Sequence, residues 1–220
     1  MSAPVLTFDH LVIAAKTLDA GMAWVRDRLD VQVPRGGAHA LMATHNCIAR
    51  IGERTYVEII AVNPDDVPER ARWFSLDDPT VQTRLRTRGP YLHHWVASTP
   101  DLDASLAAAR HDAGVAIEMA RERPEGALRW RIAVADDGLL ARGGLLPTLI
   151  EWPEGVHPAP GMTDIGWRLD SLLIETPEAE AVTTELAAVG GSGLARVEAG
   201  DAPRLVAHMR RGDDTAILSD

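Results

Sequence analysis

Cysteine is almost missing from this chain: Cys47 stands alone among 220 residues, so no disulfide can close within it. A lone thiol suits a reducing compartment, and its place in the apolar run Cys47-Ile48-Ala49 reads as a buried, unreactive side chain. Long apolar runs are missing too. None approaches the ~18 residues that a membrane-spanning helix requires. The opening MSAPVLTFDH lacks a positively charged stretch followed by an apolar core, so no export leader is evident. The expected location is the cytoplasm. Basic residues are in deficit, 22 Lys and Arg against 32 Asp and Glu, for a formal net charge of -10. That argues against nucleic acid or an anionic membrane as a partner, because both need a basic face.

What is present is the balance of an ordinary globular protein, with 46% apolar and 25% charged residues. A chain of this length buries roughly 70% of its extended surface, so it needs no structural metal to fold. Its organisation is repetitive. Phe8-Asp9-His10-Leu11-Val12-Ile13-Ala14-Ala15 reads as a strand. Thr17 follows as an N-cap, with Leu18, Met22, Val25 and Leu29 at helical spacing behind it. The same order recurs at Leu92-His93-His94-Trp95-Val96-Ala97-Ser98-Thr99, where Pro100 and Asp101 open a helix. Laying Leu18-Asp19-Ala20 on Leu102-Asp103-Ala104 carries His10 onto His94. Strict alternation along the strand then sends His93 to the other face. A third copy starts at Leu169, with Thr176 and Pro177 as N-cap and N1, a helix over about 178–189, and Gly190-Gly191 as its stop.

The copies also end alike. Tyr56 to Ile60, Thr148 to Trp152 and Thr215 to Leu218 all read as closing strands. Laying Thr55 on Thr148 and Thr215 sets Glu58 opposite Glu151 and opposite Leu218, while Ser171 stands where His10 and His94 do. Further strands are expected over 47–51 after the turn Gly36-Gly37, and over 128–135, 195–198 and 205–209. The expected units are 1–64, 91–155 and a third, ligand-free unit at 165–220, each a βαβββ-like module, with a connector at 65–90. Connectors as long as 64–90 and 153–164 are uncommon in a compact domain unless they cover something. His157, in the second of these, is expected to be exposed.

The motifs Asp9-His10-Leu11-Val12-Ile13-Ala14, Gly36-Gly37-Ala38-His39 with Ala43-Thr44-His45-Asn46, Thr55-Tyr56-Val57-Glu58-Ile59-Ile60, and Gly144-Leu145-Leu146-Pro147 through Glu151-Trp152-Pro153 span about residues 5–155. In that order, with the His…Glu pattern doubled, they resemble the glyoxalase-like branch of the vicinal oxygen chelate superfamily. The resemblance implies an α+β fold in which repeated βαβββ modules curl a mixed sheet around a cleft, here with a third, partial C-terminal module. It also implies ligands from the first and last strands of each module: His10 and Glu58, His94 and Glu151.

Two imidazoles and two carboxylates suit a divalent ion such as Zn, Ni, Fe, Mn or Co. With open positions, such an ion binds vicinal oxygens and stabilises an enolate or enediolate while Glu58 or Glu151 acts as base. The expected function is therefore a metal-dependent lyase or isomerase of the glyoxalase type acting on a small oxygenated molecule. The alternative is a metal-free module that captures a small molecule, in the manner of the antibiotic-binding relatives. An extradiol dioxygenase fits less well, because its sites resemble two His and one carboxylate. No tripeptide-binding signature points to a glutathione-using enzyme. His39, His45, Asn46, Trp130 and Trp152 are candidate substrate contacts, and Arg129 and Arg131 share the face opposite Trp130. The expected partner is a small molecule, with a homodimer as the assembly.

Overall fold

A computed structural model describes residues 4–123 and 126–219. The first unit runs β1 (Thr7–Ala14), α1 (Leu18–Leu29), β2 (Arg35–His39), β3 (Thr44–Arg50) and β4 (Tyr56–Val62). After α2 (Pro79–Thr87), the second runs β5 (Tyr91–Ser98), α3 (Leu102–Ala108), β6 (Val115–Arg121), β7 (Leu128–Val134) and β8 (Thr148–Glu151). Local chemistry starts the helices where the sequence predicts. The Thr17 hydroxyl accepts from Ala20 N at the head of α1, and the Asp101 carboxylate accepts from Ala104 N at the head of α3. Gly36 and Gly37 form part of β2, not the expected turn.

These strands form one eight-stranded sheet in the order β2-β3-β4-β1-β5-β8-β7-β6, two four-stranded halves joined by antiparallel pairing of β1 with β5. The sheet curls until its edge strands β2 and β6 touch, and it is nearly closed. Alternation along each strand divides the core in two. Leu11, Ile13, Cys47, Val57, Ile59, Trp95 and Leu149 pack on the convex side under α1 and α3. Val12, Ala14, Ile60, Val96, Ile132 and Ile150 face the concave side.

The third unit is β9 (Arg168–Thr176), α4 (Ala179–Ala188), β10 (Arg196–Ala199), β11 (Arg204–Arg211) and β12 (Asp214–Ser219). Its element order repeats the first two, but its sheet order is β10-β9-β11-β12. The last strand thus lies at the far edge and not beside the first, so Leu218 is not the structural counterpart of Glu58. Leu172, Ile174, Val182, Leu186 and Leu205 join the convex core. The third unit therefore buttresses the outside of the curled sheet and leaves the cleft to the first two.

The first strand of every unit carries one extra residue. Asp9 is left over between the pairs Phe8–Ala97 and His10–Val96, His93 between Leu92–Ile13 and His94–Val12, and Asp170 between Leu169–Met209 and Ser171–His208. Each is a β-bulge immediately before the His10, His94 or Ser171 position, and a bulge re-aims the side chains beside it. His93 consequently does not obey the alternation expected of it. Its Nε2 donates to Phe74 O at 2.7 Å, and Phe74 also lies 5.4 Å from the His94 ring.

Candidate functional site

At the floor of the concave face, the bulge turns Asp9 and His10 toward one another. His10 Nδ1 donates to Asp9 Oδ1 at 2.7 Å, and His10 Nε2 faces Glu58 Oε2 at 3.6 Å, an ion-pair rather than a hydrogen-bond distance. Val12 pairs with Glu58 across β1 and β4, which puts Glu58 on the same face as His10. The other Glu58 oxygen accepts from the Asn46 amide at 2.6 Å, and Asn46 Oδ1 accepts from Gly37 N at 2.9 Å. Gly36 makes this possible, because a Cβ there would collide with Asn46 Oδ1. Tyr56 stacks on His10 with ring centroids 4.3 Å apart.

The charges in this row are set by their neighbours. Burial alone would depress His10, but Asp9 and Glu58 on either side raise it to about 9, so it is an imidazolium at neutral pH. Burial likewise opposes ionisation of Asp9, yet bonds from His10 and His157 hold it well below the usual carboxylate range. Glu58, despite its burial, is also held below its ordinary value, chiefly by His10. His39, bonded to Thr44 Oγ1 at 3.1 Å, is lowered to about 4 by burial and stays neutral.

The walls come from the two connectors and from the far half of the sheet. Trp73 and Phe74 stack 5.1 Å apart and descend from the first connector. Phe74 and Ser75 hold left-handed φ values of 57° and 52°, costly for residues with a Cβ. Ser75 N donating to Gly138 O and Leu140 N donating to Ser75 Oγ, both at 2.8 Å, pin that kink. From the second connector, the His157 side chain is buried and not exposed as expected: its Nδ1 accepts from Ala159 N, so its Nε2 donates to Asp9 at 3.2 Å. Trp152 Nε1 donates to the same carboxylate oxygen at 2.9 Å. Trp130, Arg121, Pro158 and Met162 also line the cleft. The free space is about 40 Å³, room for about three waters.

Of the expected site residues, His10, Glu58, His39, Asn46, Trp130 and Trp152 line this cleft. His45 does not: it alternates with Thr44 and Asn46, and its β3 neighbours on that face, Cys47 and Ala49, belong to the convex core. His94 sits on the concave face but its ring is spent. Nδ1 donates to Gly144 O at 3.0 Å, which leaves Nε2 as the acceptor for Thr148 N at 3.1 Å. Burial lowers His94 to about 3, so it is neutral. Glu151 is turned to the convex side, where it accepts from Leu102 N at 2.6 Å and lies 3.4 Å from Arg131.

The reason is register. Val12 pairs with Glu58, and its repeat partner Val96 pairs with Thr148. The residue matching Glu58 is therefore Thr148, three positions before Glu151, and an odd slip reverses the face. The four expected ligands thus do not converge. Among the described residues, no group of three or more His, Cys, Asp or Glu side chains is placed to hold a metal ion. His94 has given its lone pair to a backbone N–H, and His10 Nε2 is directed at Glu58, so the donor set does not fit a divalent ion.

Trp73, Phe74 and Arg121 in the lining, and the bonded pair Asp9 and His157 beside it, are residues that the sequence did not single out for the site. Only connector length hinted at three of them. A family model for a glyoxalase-like domain matches residues 8–190. No curated protein matches the chain. Among solved structures, a hypothetical protein from Staphylococcus aureus has a TM-score of 0.59 at 15% identity, covering 90% of this chain and 88% of its own. A 4-hydroxymandelate synthase mutant from Streptomyces coelicolor gives 0.52 at 13% identity, over 99% of this chain and 64% of its own. Methylmalonyl-CoA epimerase from Streptomyces coelicolor is 20% identical over 70% of this chain and 99% of its own, with a TM-score of 0.43. At these identities the first two solved structures speak to the fold alone, whereas the family model spans most of the sequence. This chain belongs to the glyoxalase-like domain family.

Proposed function

We propose that the cleft is the active site of a lyase or isomerase that removes a proton from the carbon beside a carbonyl group, with Glu58 as the base. The observation that carries this reading is the buried row Asp9–His10–Glu58 at the floor of an aromatic-lined cleft. Glu58 enters the reaction ionised and His10 enters it cationic. When the Glu58 carboxylate takes the proton, its negative charge is discharged. The imidazolium is then released to face the enolate oxygen that has just become negative. Asp9 keeps His10 charged throughout, so the number of ionised groups in the cleft does not change. No step calls on a metal, for which the donor set is unsuited.

Proton exchange in D2O, followed by NMR on a panel of small oxo compounds, tests this. The wild-type chain is expected to wash deuterium into the position next to the carbonyl, and Glu58→Gln to slow that by a factor of about 100 or more. Exchange that is equally fast in Glu58→Gln sinks the proposal. A second reading, capture of a small molecule without turnover, is favoured by one observation. Both Glu58 oxygens already have partners, Asn46 and His10, which suits a fixed acceptor as well as a base. Tight binding with no exchange would select it.

A further inference from the structure

We infer that Arg121 is the binding group for a carboxylate on the ligand, so that the molecule taken by this cleft is a small organic acid rather than a neutral carbonyl compound. The proposal rests on the reading of the cleft as a ligand site and adds the class of ligand.

The first observation is a cation without a partner. Arg72, Arg131, Arg142 and Arg168 each lie within 2.9 Å of an acidic oxygen, as expected in a chain of net charge -10. Arg121 ends β6, is half-buried in the cleft wall and has no hydrogen-bond or ion-pair partner among the described residues. Its side chain lies across the gap where β2 meets β6. A Cβ on Gly37 would come within 2.7 Å of its Cδ, so the bare glycine gives the guanidinium its bed. From there its charge reaches His39 and Tyr56, which flank Glu58.

The second observation is independent. Trp73 lines the same cleft, is 3% exposed, and its indole N–H has no acceptor. A buried donor left unpaired is costly, and a ligand oxygen would relieve it. Two sets of unanswered donors around a narrow space call for an acceptor-rich group. The planar fork of a guanidinium matches a carboxylate in two parallel bonds. A flat group also suits a slot walled by Trp73 and Trp130, with only about 40 Å³ to spare. A tetrahedral oxyanion is the less fitting guest. With its carboxylate at Arg121, an organic acid would extend its adjoining carbons toward the Glu58 floor.

The test uses pyruvate and malonate as probes, pyruvamide and malonamide as their neutral counterparts, and inorganic phosphate as a rival anion, each titrated into the full chain. In two-dimensional nitrogen–proton spectra, the acids should move the Arg121 side-chain and Trp73 indole signals, and the amides should not. Arg121→Gln should weaken the acids about tenfold or more, and Arg121→Lys should restore part of the loss. Glu58→Gln should bind the acids at least as well as wild type, since it removes a neighbouring negative charge. Acids bound no better than amides, binding unmoved by Arg121→Gln, phosphate preferred over both acids, or no probe moving either signal would each overturn the assignment. The two proposals fail separately. Acids that bind through Arg121 without exchange remove Glu58 as base and leave this subsite standing. Exchange of neutral carbonyl compounds that ignores Arg121→Gln does the reverse.

Discussion

Asp9 decides what His10 is. A histidine as buried as this one would ordinarily be neutral, and His39 and His94 are. His10 differs because a carboxylate stands on each side of it. Its pKa is raised in the folded state, so its contribution to stability is complete below about pH 6.5 and is lost as pH rises through about 9. Asp9→Asn should therefore bring His10 back toward its ordinary value and flatten the alkaline limb of the stability profile. Breaking one partner of a buried pair costs about 3–5 kcal/mol, so the variant should also unfold at lower urea. Histidine NMR against pH measures the first effect, and a His10 that still titrates near 9 in Asp9→Asn would refute it. His10 and Glu58 were legible in the sequence, because a carboxylate amid apolar residues at a strand centre announces a reason for its burial. Asp9 was not: alternation puts it on the wrong face, and nothing in one sequence declares a bulge.

At the scale of the element, the repeat itself could be read but its frame could not. The first strands carry enough identity, Leu-Asp-Ala among it, to align correctly, and that alignment placed His94 where the structure has it. The closing strands offered only a shared threonine, and the frame it suggested slipped by three positions, which exchanged Thr148 for Glu151. Strand pairing is a long-range property, so a short match cannot fix it when both faces of the strand are apolar. Glu151 is better understood as part of α3. It accepts from Leu102 N while Asp101 caps the next turn, and Arg131 holds it there. Glu151→Ala should cost about 1–2 kcal/mol of stability and leave deuterium exchange and ligand binding in the cleft unchanged. Urea unfolding read beside the exchange assay checks both halves. A stable Glu151→Ala chain with an inactive cleft would restore Glu151 to the site.

Across the whole molecule, the curled sheet keeps α1, α3 and its third unit on one side and its polar chemistry on the other. This arrangement gathers His39, His93 and His94 under one roof, each driven neutral by burial, to about 4, 4 and 3. Each is satisfied by bonds that a neutral ring can make, to Thr44, to Phe74 O, and to Gly144 O with Thr148 N. Their folded values lie below the unfolded one, so the unfolded chain binds more protons at mildly acid pH, and stability must fall as pH drops below about 6.5. Each histidine contributes up to about 1.4 kcal/mol per pH unit until its folded value is reached. Asp9 and Glu58, also held below their ordinary values, push the same way once pH falls below the usual carboxylate range. The acid limb should therefore begin near neutrality, well before surface carboxylates titrate. Urea midpoints across pH measure it, and a calorimetric proton count at about pH 5 should find roughly three protons taken up on unfolding. A midpoint that stays flat from about pH 7 to about pH 5 would mean that these rings are already charged or are open to water. His93→Gln keeps a donor for Phe74 O and removes one titrating ring, so it should lower the proton count by about one. A count unchanged by that substitution would show that the acid sensitivity does not come from the histidines of the concave face.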